Sequence, residues 1–212
     1  MAKRNLILLA VCCVFVGGLQ AATIFERLGA PLTDWTVGDA PNQMLATSWF
    51  QDFSSTNTVI QVFGLQPAGA GAVHFDLMTV DPAGTLVSAA DITFDPTNGP
   101  GNYTVFSGAT LAPGTYFLVA SILRSEQGTA ATWTGLDPLA IGFQQLTDFG
   151  THAGAGLEYF ASIDTGGVFT QQELDLGFSV TGTEGAVPEP ATCGLLLIGL
   201  GAAVLNRKRF AR

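Results

Sequence analysis

The sequence predicts an all-β protein: an antiparallel β-sandwich of jelly-roll type, flanked by an N-terminal signal peptide and a short C-terminal transmembrane helix. Three observations carry that reading. Short runs of β-branched and aromatic residues, separated by Gly, Pro, Asn and Asp, fill the interval between residues 23 and 184. No long segment of helical periodicity competes with them there. The two longest apolar runs of the 212-residue chain sit at its ends, although 48% of all residues are apolar and only 12% charged.

The elements follow in chain order. Lys3 and Arg4 supply a basic start, Leu6 to Leu19 an apolar run, and Leu19-Gln20-Ala21 a small-residue exit. This pattern makes residues 1–21 a signal peptide cleaved between Ala21 and Ala22. Roughly fourteen residues of helix rise only ~21 Å, short of the ~30 Å hydrocarbon core, so a permanent anchor is disfavoured. Val11 precedes Cys12, where a lipid-acceptor cysteine needs a small residue, so lipidation is not expected.

Residues 22–181 are read as the extracellular sandwich. Val73, Phe75 and Leu77 alternate with His74 and Asp76, and Leu174, Leu176, Phe178 and Val180 alternate with Asp175, Gly177, Ser179 and Thr181. Each pattern gives a strand with one apolar and one wet face. Further strands are expected at Met44 to Phe50, Thr58 to Leu65, Thr85 to Ala90, Tyr103 to Ser107, Thr115 to Ser121, Ala130 to Thr134 and Leu139 to Gln144. Turn chemistry falls between them at Gln66-Pro67-Ala68-Gly69, Asp81-Pro82-Ala83-Gly84, Asp95 to Gly101 and Ala112-Pro113-Gly114. About nine or ten strands without intervening helices imply the sandwich. Gly182 to Ala186 reads as a linker, and residues 187–212 as a separate C-terminal segment.

Charge and cysteine placement narrow the function classes. Sixteen of the seventeen acidic residues lie between 23 and 187, with only Arg27 and Arg124 of the eight cations, a net charge of −14 for that interval. Nucleic acid is therefore not an expected partner, because phosphate binding needs clustered cations. Cys12, Cys13 and Cys193 all lie in the terminal apolar runs, so the central domain has no disulfide and no thiolate chemistry. A domain of roughly 160 residues is large enough to fold on its core alone.

The C-terminal segment is the most informative stretch. Val187-Pro188-Glu189-Pro190 precedes an uncharged apolar run from Ala191 to Leu205, read as a transmembrane helix, and residues 206–212 form a basic tail containing Arg207, Lys208 and Arg209. The positive-inside bias keeps that tail cytoplasmic and the sandwich outside. Each proline fixes φ, and neither has an amide donor, so Pro188-Glu189-Pro190 stays extended and accessible. The whole closely resembles the PEP-CTERM sorting signal. That resemblance implies recognition of the tripeptide by a membrane-embedded exosortase, a cysteine protease of transpeptidase-like chemistry, with this chain as substrate rather than catalyst. No LPxTG sequence precedes the helix, which separates it from a sortase signal. Thr47-Ser48-Trp49-Phe50, Val59 to Leu65, Val73 to Val80 and Leu111 to Val119 also resemble the choice-of-anchor type of extracellular domain, which implies the same sandwich fold.

Chemistry in the domain is sparse. Only His74 and His152 are available as imidazole bases, with neither a Gly-x-Ser-x-Gly elbow nor a His-Glu-x-x-His helix. His74 and Asp76 share a strand face, but two ligands do not make a zinc site, and a solvated face is expected. Asp91, Asp95 and Asn98 gather near a Gly-rich turn without an Asp-x-Asp-x-Asp-Gly loop, so no metal is expected. Trp35, Trp49, Trp133, Tyr103 and Tyr159 are read as core rather than as a sugar-stacking platform.

The expectation is a non-enzymatic exported protein with no catalytic residue, metal or cofactor. Its partners are the secretion machinery, an exosortase and, before processing, the inner membrane. It is destined for the cell surface or an extracellular matrix containing exopolysaccharide. Carbohydrate binding is the alternative, predicting exposed coplanar aromatics. A secreted hydrolase is the second alternative, predicting a histidine hydrogen-bonded to a carboxylate.

Overall fold

A computed structural model describes residues 21–29, 31–38, 43–67, 72–93, 99–122, 131–136, 139, 144–155, 160–162, 169–171 and 175–185. Its strands are β1 (Ala22–Leu28), β2 (Pro31–Val37), β3 (Met44–Gln51), β4 (Ser55–Pro67), β5 (Ala72–Thr79), β6 (Thr85–Thr93), β7 (Gly101–Leu111), β8 (Gly114–Ile122), β9 (Ala131–Leu136), β10 (Gln144–Leu146), β11 (Ala153–Ala155), β12 (Phe160–Ser162), β13 (Thr170–Gln171), β14 (Asp175–Leu176) and β15 (Phe178–Glu184). A single 3₁₀ turn, Gly150–His152, is the one helical element among the described residues.

The strands form two antiparallel sheets. One runs β10-β1-β15-β4-β9-β14, with β7 also on β4 and β2 on β9; the other runs β13-β12-β3-β8-β5-β6, with β11 on β3. Within them, β1-β15-β4-β7 faces β3-β8-β5-β6. In these eight strands the first pairs with the last, the third lies between the last and the sixth, and the second pairs with the seventh. That is the jelly-roll order, two Greek keys wrapped around each other. The expected architecture is therefore the observed one.

The inner faces meet in one large core. Ile24, Leu45, Ile60, Val62, Leu65, Val73, Phe75, Leu77, Leu118, Trp49, Trp133, Leu176, Phe178 and Val180 are all fully buried. Trp49 stacks on Tyr116 with ring centroids 5.4 Å apart, and Phe75 meets Trp133 edge-on at 5.9 Å. A smaller cluster of Ala46, Phe117 and Val119, with Met78 and Phe169 against it, packs separately from this core.

Two expected turns form as their sequences dictate. At Asp81-Pro82-Ala83-Gly84 the Gly84 amide donates to the Asp81 carbonyl at 3.0 Å and the Ala83 amide to the Asp81 carboxylate at 2.8 Å. A Cβ at Gly84 would lie 2.2 Å from the Thr79 carbonyl oxygen, so only glycine fits there. After Ala112-Pro113-Gly114, the Tyr116 hydroxyl donates to the Ala112 carbonyl at 2.7 Å and closes the β7–β8 corner.

Other expectations need correction. The run from Leu174 to Thr181 is not one strand: β14 pairs with β9 whereas β15 pairs with β1 and β4. The break falls at Gly177, whose carbonyl leaves the ladder to accept from Trp133 Nε1 at 3.1 Å and from the Phe63 amide at 2.9 Å. Nor does that run have a wet face, because Asp175 and Ser179 are buried. Gly182 to Glu184, expected as linker, continue β15 and pair with Ala22, Thr56 and Ser55. Strands β1, β2 and β10 to β13 lack strong alternation, and pattern alone does not predict them. Most of Leu139 to Gln144, the signal peptide up to Gln20 and the whole of residues 186–212 lie outside the described residues. Among the described residues no helix is long and apolar enough to cross a membrane.

Candidate functional site

The pairing of β1 with β15 sets the geometry of the chain ends. Ala22 is the register partner of Gly182, so the chain enters and leaves the sandwich on neighbouring antiparallel strands at one pole. Antiparallel partners have Cα atoms only ~4.5–5.5 Å apart. The β3–β4 turn, the β7–β8 corner and the Gly150–His152 turn share this pole, through the registers Ser55 with Leu111, Gln51 with Gly114 and Gln51 with Ala153.

Both ends are pinned by hydrogen bonds. At the entry, the Thr23 amide donates to the Asp148 carboxylate at 2.6 Å, and the Asp148 amide returns a bond to the Thr23 carbonyl at 2.9 Å. At the exit, the Gly185 amide donates to the Ser54 carbonyl at 2.7 Å. The β3–β4 turn that presents Ser54 is held from beneath by a buried polar network. Gln51 Nε2 donates to the Phe53 carbonyl and the Ser55 hydroxyl, both at 3.0 Å, while its Oε1 accepts from Trp49 Nε1 at 3.3 Å. Ser55 and Thr58 hydroxyls share a further bond at 2.9 Å. Nothing in the alternation of the sequence marks Gln51 as buried.

Between the two pinned ends lies an open pocket of about 640 Å³ lined by Asp52, Phe53, Asp148, Phe149, Gly150, Thr151, His152 and Glu184. Its apolar part is the stacked pair Phe53 and Phe149, with centroids 4.3 Å apart. His152 Nδ1 contacts both Asp52 carboxylate oxygens, at 3.0 and 2.8 Å, and the Asp52 amide donates to the His152 carbonyl at 2.9 Å. The second histidine lies elsewhere, on strand β5. His74 Nδ1 meets Asp91 at 2.6 Å and Nε2 meets Asp76 at 3.1 Å. Burial lowers the His74 pKa, but the hydrogen bond to Asp91 and the charges of Asp76 and Asp91 outweigh it, so the imidazole titrates above its usual 6.5.

These arrangements limit the chemistry available. The two carboxylates around His74 sit on opposite ring nitrogens and clamp the imidazolium rather than converge on one point. Among the described residues no group of three or more His, Cys, Asp or Glu is placed to hold a metal ion. Asp91, expected only as part of a loop cluster, belongs to β6 and pairs with His74; Asp95 and Asn98 lie outside the described residues. Trp49 and Trp133 are fully buried, while Trp35 and Tyr103 pack partly buried against the core. Those four make no exposed platform, and Tyr159 lies outside the described residues.

The interior also holds an ion pair. Arg27 Nη1 meets the Asp175 carboxylate at 2.8 Å and donates to Thr47 Oγ1 at 3.1 Å, with the guanidinium 5.3 Å from the Phe25 ring centre and 5.8 Å from that of Phe178. Arg27 and Asp175 belong to one sheet and Thr47 to the other, so the group bridges the sandwich.

Of the residues expected to carry the sorting chemistry, Ala21 and Ala22 stand at the described edge, with β1 beginning at Ala22. Val187, Pro188, Glu189, Pro190, Arg207, Lys208 and Arg209 follow the pinned exit at Gly185 and lie outside the described residues. Comparison with known protein families matches residues 186–209 to the PEP-CTERM protein-sorting motif. The chain carries a PEP-CTERM sorting signal. Such a signal marks an exported protein, membrane-anchored before processing and sorted by an exosortase. The PEP-CTERM match starts at the residue after Gly185, so signal and sandwich abut. No curated protein matches the chain.

Proposed function

We propose that this chain is a non-enzymatic structural protein of the cell surface or extracellular matrix. In this reading the signal peptide ends at Ala21, and the apolar run 191–205 holds the precursor in the inner membrane with Arg207, Lys208 and Arg209 on the cytoplasmic side. Cleavage then takes place within Val187-Pro188-Glu189-Pro190 and releases the jelly roll. The observation that carries the reading is the sorting motif at residues 186–209, directly behind a strand that completes the sandwich. Mass spectrometry of the native extracellular form should find a C-terminus between Pro188 and Pro190; a mature form retaining Arg207 to Arg212 contradicts it.

A second reading, a secreted hydrolase, is favoured by one feature: both histidines contact carboxylates, and His152 does so at the rim of a pocket. Thr151 is the one hydroxyl among the residues lining that pocket, and the His152 nitrogen given to Asp52 is Nδ1, which leaves Nε2 to face a substrate. Hydrolysis of ester or glycoside substrates by the mature protein, lost in His152→Gln, would establish this reading against the first. A panel of exopolysaccharides and glycans tests the carbohydrate alternative, for which the buried Trp49 and Trp133 leave little surface.

A further inference from the structure

The end of the sandwich and the start of the sorting signal leave almost no chain between them. Glu184 is paired with Ser55, Gly185 is bonded to Ser54 at 2.7 Å, and Pro188 follows after only two further residues. An extended chain of three residues reaches ~10 Å, and one of five residues ~17 Å, at ~3.4 Å per residue. Pro188 to Pro190 therefore stay within that distance of the folded pole, whose rim is built by Asp52, Phe53, Asp148 and His152. An enzyme that aligns several extended residues on the amino-terminal side of its scissile bond must reach past Ala186 and Val187 onto Gly185 and Glu184. Those two residues have their backbones committed to sheet and turn.

We propose that the sandwich and the processing enzyme compete for Thr183 to Gly185, so that the last rung of β15 and the Gly185–Ser54 bond form a latch that sets the rate of C-terminal processing. The latch rests on the sorting reading given above. The step that it gates breaks one peptide bond: the enzyme's nucleophile takes the acyl carbon, water or an acceptor amine then releases it, and the new amino group leaves with the tag. With the latch shut, two residues separate the folded chain from Pro188; with Thr183 to Gly185 open, five do. The Gln51 network makes the closed state firm by fixing the turn that carries Ser54.

The geometry supplies its own test. A Cβ at position 185 would lie 3.4 Å from Ser54 Cβ, just under the ~3.5–4.5 Å that a disulfide spans, so a small outward shift admits the bridge. The central domain has no cysteine to interfere. The full-length precursor carrying Ser54→Cys with Gly185→Cys, expressed in its native host and followed by pulse-chase, should be processed at about a tenth of the wild-type rate or less, because the bridge prevents opening. Reductant should restore the rate. A Gly-Ser linker of about four residues inserted after position 185 should restore it without reductant. The same linker in the otherwise wild-type chain, which leaves the sandwich intact, should speed processing about fivefold, the population change that one backbone hydrogen bond controls. Wild-type rates in the bridged chain, or no gain from the linker in the wild-type chain, overturn the latch. Pro188→Ala with Glu189→Ala separates the two ideas. If that variant is processed normally the sorting reading fails; if it is unprocessed while bridge and linker have no effect, only the latch fails.

Discussion

Replacing Arg27 by methionine should be among the most damaging single changes available in this domain. Arg27 is 1% exposed, its carboxylate partner Asp175 is 7% exposed, and the guanidinium lies over the packed rings of Phe25 and Phe178. Methionine keeps most of the apolar contact but leaves the Asp175 carboxylate buried without its cation. Breaking a buried pair in this way costs ~3–5 kcal/mol, whereas an exposed pair is worth ~1 kcal/mol or less. Domain stabilities are ~5–15 kcal/mol, so the loss is a large share of the total. With a urea slope of about 2 kcal/mol/M, the unfolding midpoint of the mature protein should fall by about 2 M. Fluorescence of the buried Trp49 and Trp133 reports the transition. Adding Asp175→Leu to Arg27→Met removes the stranded charge, and the double variant should return to within ~1–2 kcal/mol of wild type. A single variant that loses less than ~1 kcal/mol, or a double variant no better than the single, would refute a bridge that depends on mutual neutralisation.

Other expected outcomes follow from the same geometry. His74 titrates above 6.5 in the folded state, so its contribution is fully present below pH 6.5 and is lost as pH rises through the raised value; the thermal midpoint should fall over that window in wild type and be flat in His74→Asn. Gly64→Ala should cost ~2–4 kcal/mol, because φ is +66° there and the new Cβ would sit 2.6 Å from Thr134 Oγ1, a loss read by urea unfolding. Tyr116→Phe should cost ~1 kcal/mol through the bond to Ala112, measured the same way. A chain stopped after Gly177 lacks β15, the strand between β1 and β4, and should fail to fold, seen as loss of secreted protein and of its cooperative transition.

How far the sequence revealed these features depended on whether the feature was local. The strands at Met44 to Phe50, Val73 to Leu77 and Thr115 to Ser121 were readable because alternation and turn chemistry are properties of neighbouring residues. The same holds for Asp81-Pro82-Ala83-Gly84. The break at Gly177 was not readable, since the two donors that its carbonyl serves, Trp133 Nε1 and the Phe63 amide, are distant in sequence. Asp175 looked like a solvent-facing residue until Arg27, 148 positions earlier, was brought beside it. Gly182 to Glu184 looked like a linker because small polar residues carry no burial signal; their pairing with Ala22 and Ser55 is set by partners more than a hundred residues away. The sorting motif was readable in full, being a contiguous address rather than a folded surface. The pole to which it is attached was not.

The jelly-roll order explains why that pole exists. When the first and last strands of a domain are antiparallel neighbours in one sheet, entry and exit must fall at the same end. Here β1 and β15 do so whatever is appended to them. Had the ends fallen at opposite poles, a seven-residue strand at ~3.4 Å per residue would place them ~24 Å apart. A precursor with an apolar segment on each side would then have to thread one of them back along the sandwich before both could lie in a single bilayer. With adjacent ends no such detour is needed, and the short reach from Gly185 to Pro188 becomes possible. The pairing that seats the exit at this pole also commits Glu184 and Gly185 to the fold. Proximity to the processing site and resistance to being drawn into it are thus two consequences of one strand pairing.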